Sequence, residues 1–271
     1  MLREIEEKSK KLALGLNVKG LLNIQFAIKD EELFILEANP RASRTMPFVA
    51  KVTGNQIIKA GTLLMLGYSI DEVRNKTKYL SSSSNKVAIK KAIFPWSRFP
   101  AEDTMLGPEM KATGEVLGVG KEFGTALNKA YAAAGVEINN KEKGIFVTLS
   151  DSEKPNFIKT VNKYLELGFT LYSTEGTGKF LKTNGIDSVI VGKADDLGQT
   201  SLTIIEDKLV SLVINTPTYA NELSDGWKIR RLSHETGVAV VSSVREADAF
   251  IEAFLNQNLV LDDLEVIQDV S

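Results

Sequence analysis

Gln25, Glu37 and Asn39 are three oxygen donors set close together near the start of the chain, and Arg41 and Arg44 follow directly in "ILEANPRASRT" (35–45). Glu37 and Asn39 stand two apart in a strand-like run, so they share one face. Gln25 lies on the preceding strand-like run and can face the same side. A hard cation such as Mg²⁺ takes oxygen ligands and is commonly held by one or two carboxylates together with phosphate oxygens. The forked guanidinium donors of Arg41 and Arg44 suit phosphate oxygens. Pro40 fixes the exit of the strand. These residues therefore outline a Mg²⁺–triphosphate site. The same residues would also make a polar strand-to-loop turn with a surface ion pair, and spacing alone leaves both readings open.

A second cluster lies far along the chain. Thr174 ends an apolar run and is followed by Gly176, Thr177 and Gly178, which read as a helix start. Free N–H groups at a helix start, flanked by hydroxyls, form an anion site, and glycine lets the backbone come close to a phosphate. Lys193 follows the next strand at Gly192, Asn215 and Thr216 follow the one after, and Lys154 opens an earlier helix. In an open α/β sheet these are carboxyl ends of strands, where ligands gather. Helix capping and turn chemistry would use Thr174, Thr177 and Asn215 equally well.

The elements that must position these groups can be read from the periodicity. "MLREIEEKSKKLALGL" has apolar residues on one face of a helix, and "GLLNIQFAIKD" (20–30) with "EELFILEAN" (31–39) reads as a hairpin. "NQIIKAGTLLMLG" (55–67) predicts a helix, "NKTKYLSSSSNK" (75–86) a polar loop, "VAIKKAIFP" (87–95) a strand, and "KEFGTALNKAYAAAG" (121–135) a helix. From residue 144 the pattern changes to five short apolar strands alternating with helices, which implies a parallel, doubly wound sheet. Ser152 is a candidate cap for the first of those helices. A boundary falls near "VEINNKE" (136–142).

Composition limits the function classes. Lys+Arg 33 against Asp+Glu 35 gives a net charge of -2, which lacks the basic footprint of non-specific nucleic-acid binding. There is no cysteine, hence no disulfide framework and no thiolate metal site, as suits a reducing cytoplasm. No run approaches the roughly 18 apolar residues of a membrane span. His234, the one histidine, is expected on a solvated helix face, with Trp227, Ile229 and Leu232 as packing residues and Trp96 and Phe99 as anchors of the loop after residues 87–95.

The stretch "GLLNIQFAIKDEELFILEANPRASRTMPFVAKVTG" resembles the end of an ATP-grasp domain. With "IFPWSRFP", "LGPEMKATGEVLGVG", "LYSTEGTGKFL" and "INTPT" in order, nearly the whole chain resembles the C-terminal portion of the carbamoyl phosphate synthetase large-subunit family. The resemblance implies that residues 1–136 are the C-terminal part of the second ATP-grasp domain, which phosphorylates carbamate. There Gln25, Glu37 and Asn39 would bind Mg²⁺ or Mn²⁺ with ATP, and Arg41 and Arg44 would face the phosphates as catalytic residues. It implies that the chain begins inside that catalytic domain and would itself be inactive. It further implies that residues 137–271 are a methylglyoxal-synthase-like allosteric domain. In it Lys154, Thr174, Thr177, Lys193, Asn215 and Thr216 would bind an effector such as UMP, IMP or phosphoribosyl pyrophosphate. The parent would be a cytoplasmic, oligomeric ATP-dependent ligase with a glutaminase small subunit. It would make carbamoyl phosphate from bicarbonate, ammonia and two ATP for pyrimidine and arginine synthesis.

Two positions depart from the pattern. Pro217 replaces a hydroxyl residue, and Lys91 stands where ornithine-responsive members carry a glutamate, so it would repel ornithine's amino group. The other classes are a methylglyoxal-synthase-like lyase and a structural interaction domain. The lyase needs a carboxylate base, for which Asp195 and Asp196 are present without that enzyme's Gly-Gly-Asp-Gln pattern.

Overall fold

The structure is a computed structural model and describes residues 1–78, 86–94, 96, 110, 112–136, 138, 144–216 and 224–256. It divides into two compact units, Met1–Asn85 and Lys86–Leu264.

The first unit begins with α1 (Leu2–Gly15), then the antiparallel pair β1 (Asn23–Lys29) and β2 (Glu32–Asn39). The loop between the strands is only Asp30 and Glu31, both at positive φ (50° and 65°), the backbone sense that two-residue hairpins of this hand require. A register shift between Gln25 and Phe26 skips Leu36, so the pairing changes phase beside the polar strand end. Three short helices follow: α2 (Thr45–Thr53), α3 (Ile57–Met65) and α4 (Ile70–Lys76). A reciprocal capping box between Ser69 and Glu72 starts α4. Among the described residues of this unit, Leu33 and Val73 are the buried apolar side chains. Leu2, Leu14, Leu36, Met65, Leu66 and Ile70 are exposed.

The second unit is built differently. β3 (Val87–Ala92) and β4 (Glu115–Gly120) pair antiparallel, and α5 (Phe123–Ala133) lies on β4. Gly118 permits that approach, since a Cβ there would strike the Ala126 carbonyl oxygen. A five-stranded sheet follows in the order β7-β6-β5-β8-β9, every pair parallel. Its strands are β5 (Gly144–Thr148), β6 (Leu171–Thr174), β7 (Val189–Val191), β8 (Val210–Asn215) and β9 (Ala239–Val241). The helices are α6 (Lys154–Glu166), α7 (Glu175–Thr183), α8 (Thr203–Glu206), α9 (Asp225–Thr236) and α10 (Val244–Leu255).

Strand alternation sends side chains into two layers. Ile145, Val147, Leu212 and Ile214 join Phe157, Tyr164, Leu181, Phe250 and Phe254 of α6, α7 and α10. Phe146, Val191 and Val213 join Ile204, Ile205 and Ile229 of α8 and α9. Both faces of the sheet are thus covered, which is why its strands read as continuous apolar runs.

The units divide at Asn85/Lys86, so β3, β4 and α5 pack with the sheet that follows the change of pattern at 136–142. Asn128 of α5 donates to the Ala253 carbonyl at 2.5 Å, and Ile89 of β3 packs on the larger core. Ser152 does not cap α6. Glu153 takes the N-cap place and the Ser152 hydroxyl meets that of Ser150 at 3.2 Å, because Pro155 already fits the first helical turn. The sequence reading also missed α2 and α4, whose patterns are too short to give a period. The serine-rich run and Phe99 lie outside the described residues, apart from the ends of that run.

Candidate functional site

In the first unit, Gln25 on β1 is paired directly with Glu37 on β2, and Asn39 with Asn23. Alternation puts Glu37 and Asn39 on one face, and the pairing sets Gln25 on that face. Gln25 and Glu37 are exposed and Asn39 half-buried. None of the three side chains hydrogen-bonds another group among the described residues. They leave one carboxylate and two amide oxygens available on one side, a donor set that fits a hard cation. Asn23, overlooked in the sequence, donates from Nδ2 to the Ser43 hydroxyl at 3.3 Å and ties the strand pair to the turn carrying Arg41 and Arg44. Arg41 and Arg44 are both exposed, with Arg41 Nη1 donating to the Ala42 carbonyl at 3.1 Å.

In the second unit, a cavity of about 810 Å³ opens at the carboxyl ends of β5, β6 and β7. Thr148, Thr174, Gly176, Gly178, Gly192 and Lys193 line it, with Ile190, Val191 and Ile229 as apolar wall. Thr174 precedes the first turn of α7 but makes no side-chain cap bond. Its hydroxyl lies instead within hydrogen-bonding distance of the hydroxyls of Thr177 at 3.3 Å and Thr148 at 3.5 Å, and its one proton can serve either. The helix start is therefore uncapped toward the cavity, where its N–H groups and dipole favour an anion. Lys193 reaches the same turn. The Glu175 carboxyl is held below its ordinary range by its bond to Lys179 and, to a lesser degree, by the charge of Lys193. The Lys154 ammonium sits 4.0 Å from where a Cβ on Gly176 would be, and it pairs with Asp151 at 2.5 Å.

Three of the expected residues lie beneath this surface. Thr177 is buried and its hydroxyl accepts from Leu149 N–H at 3.1 Å. Thr216 accepts from Ser150 N–H at 2.8 Å, and Asn215 accepts from Arg230 Nη1 at 2.7 Å. The structure thus brings Thr174, Lys193 and the α7 turn to one cavity, with Lys154 at its edge. It places Thr177, Asn215 and Thr216 in the hydrogen-bonded floor and the strand ends beside it. Thr148, Ser201, Asp225 and Gly226 line the cavity without having been expected. Thr148 ends a strand on the same edge, the signal that could have found it.

Comparison with known proteins matches both units. Residues 1–73 match the family model described as "Carbamoyl-phosphate synthase L chain, ATP binding domain", and residues 156–242 match that of the "MGS-like domain". The chain is 38% identical over 267 residues to the "Carbamoyl phosphate synthase large chain, C-terminal section" of Aquifex aeolicus (strain VF5). Over most of its length the chain is similar to the C-terminal part of carbamoyl phosphate synthase large chains. That match takes in 93% of this chain and 49% of the relative. The corresponding section of Methanocaldococcus jannaschii is 39% identical over 251 residues, covering 90% of this chain and 40% of its own. The large chain of Brucella suis biovar 1 (strain 1330) is 40% identical over 258 residues, 92% of this chain and 22% of the relative. The chain thus spans about half the length of the Aquifex relative.

Among carbamoyl phosphate synthase relatives the lyase alternative is not favoured, and both candidate bases are engaged. Asp195 takes the Lys228 ammonium at 2.7 Å, and Asp196 accepts from Lys193 N–H at 2.7 Å. Lys91 lies in a second cavity with its ammonium 3.9 Å from the centre of the Tyr131 ring. Burial lowers its pKa against the opposing charge of Glu246. His234 corrects the sequence reading. It is half-buried, with the Trp96 ring tilted against it at 5.5 Å between centroids, and its pKa falls to about 4 through burial and the charges of Lys91 and Arg231. Helical periodicity alone could not show that residue 96 would cover this face. No helix among the described residues is long and apolar enough to cross a membrane.

Proposed function

We propose that this chain is the C-terminal portion of a cytoplasmic carbamoyl phosphate synthase large chain, with residues 137–271 forming a regulatory domain for a phosphorylated nucleotide-type effector. The observation that carries this reading is the convergence of Thr174, the uncapped start of α7 and Lys193 on one cavity. The cavity holds far more than an orthophosphate, and its apolar wall of Ile190, Val191 and Ile229 suits the body of a larger ligand. UMP, IMP and phosphoribosyl pyrophosphate all have the required anionic end.

Residues 1–136 are proposed as part of the second ATP-grasp domain. Gln25, Glu37 and Asn39 would hold Mg²⁺ or Mn²⁺ beside ATP, and Arg41 and Arg44 would meet its phosphates. The cation would neutralise charge on the transferring phosphoryl group. Because these donors occupy one side of an exposed strand pair, ATP turnover needs groups around the remaining sides. In the complete enzyme, with a glutaminase small subunit supplying ammonia, the reaction joins bicarbonate and ammonia with two ATP. Isothermal calorimetry with UMP, IMP and phosphoribosyl pyrophosphate tests the regulatory reading. Binding of at least one, weakened in Lys193→Met, is expected; binding of none would overturn it.

A further inference from the structure

Among the described residues lining the cavity, one carries a buried side-chain polar atom that the hydrogen-bonding of the protein does not use. Ser201 is 1% exposed and is one of the residues lining the cavity, and its buried hydroxyl has no hydrogen-bond partner among the described residues. Other buried hydroxyls of this unit are engaged: Ser173 with Ser188 at 2.8 Å, Ser233 with the Ile229 carbonyl at 2.7 Å, and Thr200 with Thr203 N–H at 3.2 Å. Buried polar groups left unpaired are rare in folded proteins, and each calls for a reason.

The backbone around Ser201 is held firmly. Its N–H donates to the Gly192 carbonyl at 3.0 Å, and Gly192 N–H donates to the Gln199 carbonyl at 3.0 Å. Thr200 and Thr203 bond each other's backbone N–H groups and start α8. The position of Ser201 is thus set independently of its hydroxyl, which stays available.

The place of Ser201 in the fold indicates what it meets. The α7 turn belongs to the layer of α6 and α10, and α8 and α9 form the opposite layer. The cavity lies where the two layers meet at the edge of the sheet. An anion on α7 and Lys193 therefore extends its remaining atoms toward Ile229, Gly226 and Ser201. That end sets Ile229 and Gly226 beside the Asp225 carboxylate and Ser201, whose unpaired hydroxyl can donate or accept. Such a wall fits a planar heterocycle with a polar edge.

Resting on the reading that this cavity takes a nucleotide-type effector, we propose that Ser201 is its specificity-determining residue, hydrogen-bonding the polar edge of the base while α7 and Lys193 hold the phosphate. The hydroxyl discriminates because a base edge of matching polarity supplies the partner it lacks in the free protein, whereas an apolar edge does not.

The test compares ribose 5-phosphate, UMP and IMP by calorimetry on the full chain and on Ser201→Ala. The parent chain should bind at least one nucleotide more tightly than ribose 5-phosphate. Ser201→Ala should weaken that nucleotide about 5- to 10-fold, the loss of one neutral hydrogen bond, and leave ribose 5-phosphate unchanged. The melting temperature of free Ser201→Ala should equal or exceed that of the parent, since no internal bond is lost. Equal nucleotide binding by both chains would overturn the inference. So would parallel loss of nucleotide and ribose 5-phosphate, a lowered melting temperature, or no preference of the parent for a base. If none of the three probes binds the parent, this assignment falls, while the regulatory reading is decided separately by phosphoribosyl pyrophosphate.

Discussion

Gln25 and Glu37 are direct partners across the β1–β2 ladder, with Asn39 next on the same face and the register shift immediately beyond them. The carboxylate and both amides thus come from a paired backbone rather than from loops. Replacing Glu37 with Gln keeps the shape and removes the one negative charge. In a complete large chain it should slow carbamate phosphorylation on the order of 10²-fold, or about 2.7 kcal/mol in the barrier. Steady-state kinetics of the variant decides this, and a near-normal rate would remove Glu37 from the metal site.

Thr177 and Lys193 should respond differently, because one lies in the floor and the other at the rim. Thr177→Val leaves the buried Leu149 N–H without its acceptor, so its main effect should be on stability, about 1–3 kcal/mol. Lys193→Met should leave stability nearly unchanged and weaken a nucleotide monophosphate by about 1.5–3 kcal/mol, the range for a charge-assisted bond. Urea denaturation and calorimetry on both variants separate the effects. Equal loss of binding with no loss of stability in Thr177→Val would place that hydroxyl on the ligand instead.

His234 gives the second unit an acid sensitivity with a definite sign. Its pKa drops from the ordinary 6.5 to about 4 in the folded state. The unfolded chain therefore takes up the proton first as pH falls below 6.5. Stability should decline from there to about pH 4, by up to about 3 kcal/mol, and the loss should be complete below that. Urea titrations at pH 7, 5.5 and 4.5 should show a steeper decline for the parent than for His234→Gln. Identical slopes would mean that burial of His234 behind Trp96 is not retained in solution.

Gly118 should tolerate no side chain. Gly118→Ala drives a methyl into the Ala126 carbonyl oxygen and onto the backbone of Ala130, which sits on the same turn of α5. Backbone cannot move aside as a flexible side chain can, so a loss of about 1–3 kcal/mol is expected. A melting temperature equal to the parent's would show that α5 stands farther from β4.

The two units should also open at different free energies. The first keeps Leu33 and Val73 as its buried apolar side chains among the described residues, while the second packs both faces of a sheet. Amides of β1 and β2 should exchange with deuterium faster than those of β5 and β8. Equal protection in mass-spectrometric exchange would count against that ranking.

Much of this was legible in the linear chain because it depends on local periodicity. Alternation in residues 20–39 announced the hairpin and put Glu37 and Asn39 on one face. Apolar runs separated by helical stretches announced a parallel sheet covered on both sides. The glycine-flanked Thr177 and the position of Lys193 marked carboxyl strand ends, which the topology of such sheets turns into one edge. Only the tertiary structure decided which hydroxyls are used up inside. Thr177 and Thr216 accept backbone N–H groups brought to them by neighbouring strands, and Ser201 is left bare. Only it could set Trp96 on His234, or carry α8 and α9 across the sheet from α7 to close the cavity. Such contacts join residues far apart in sequence, and their pairing follows from where the whole chain packs rather than from any stretch of it.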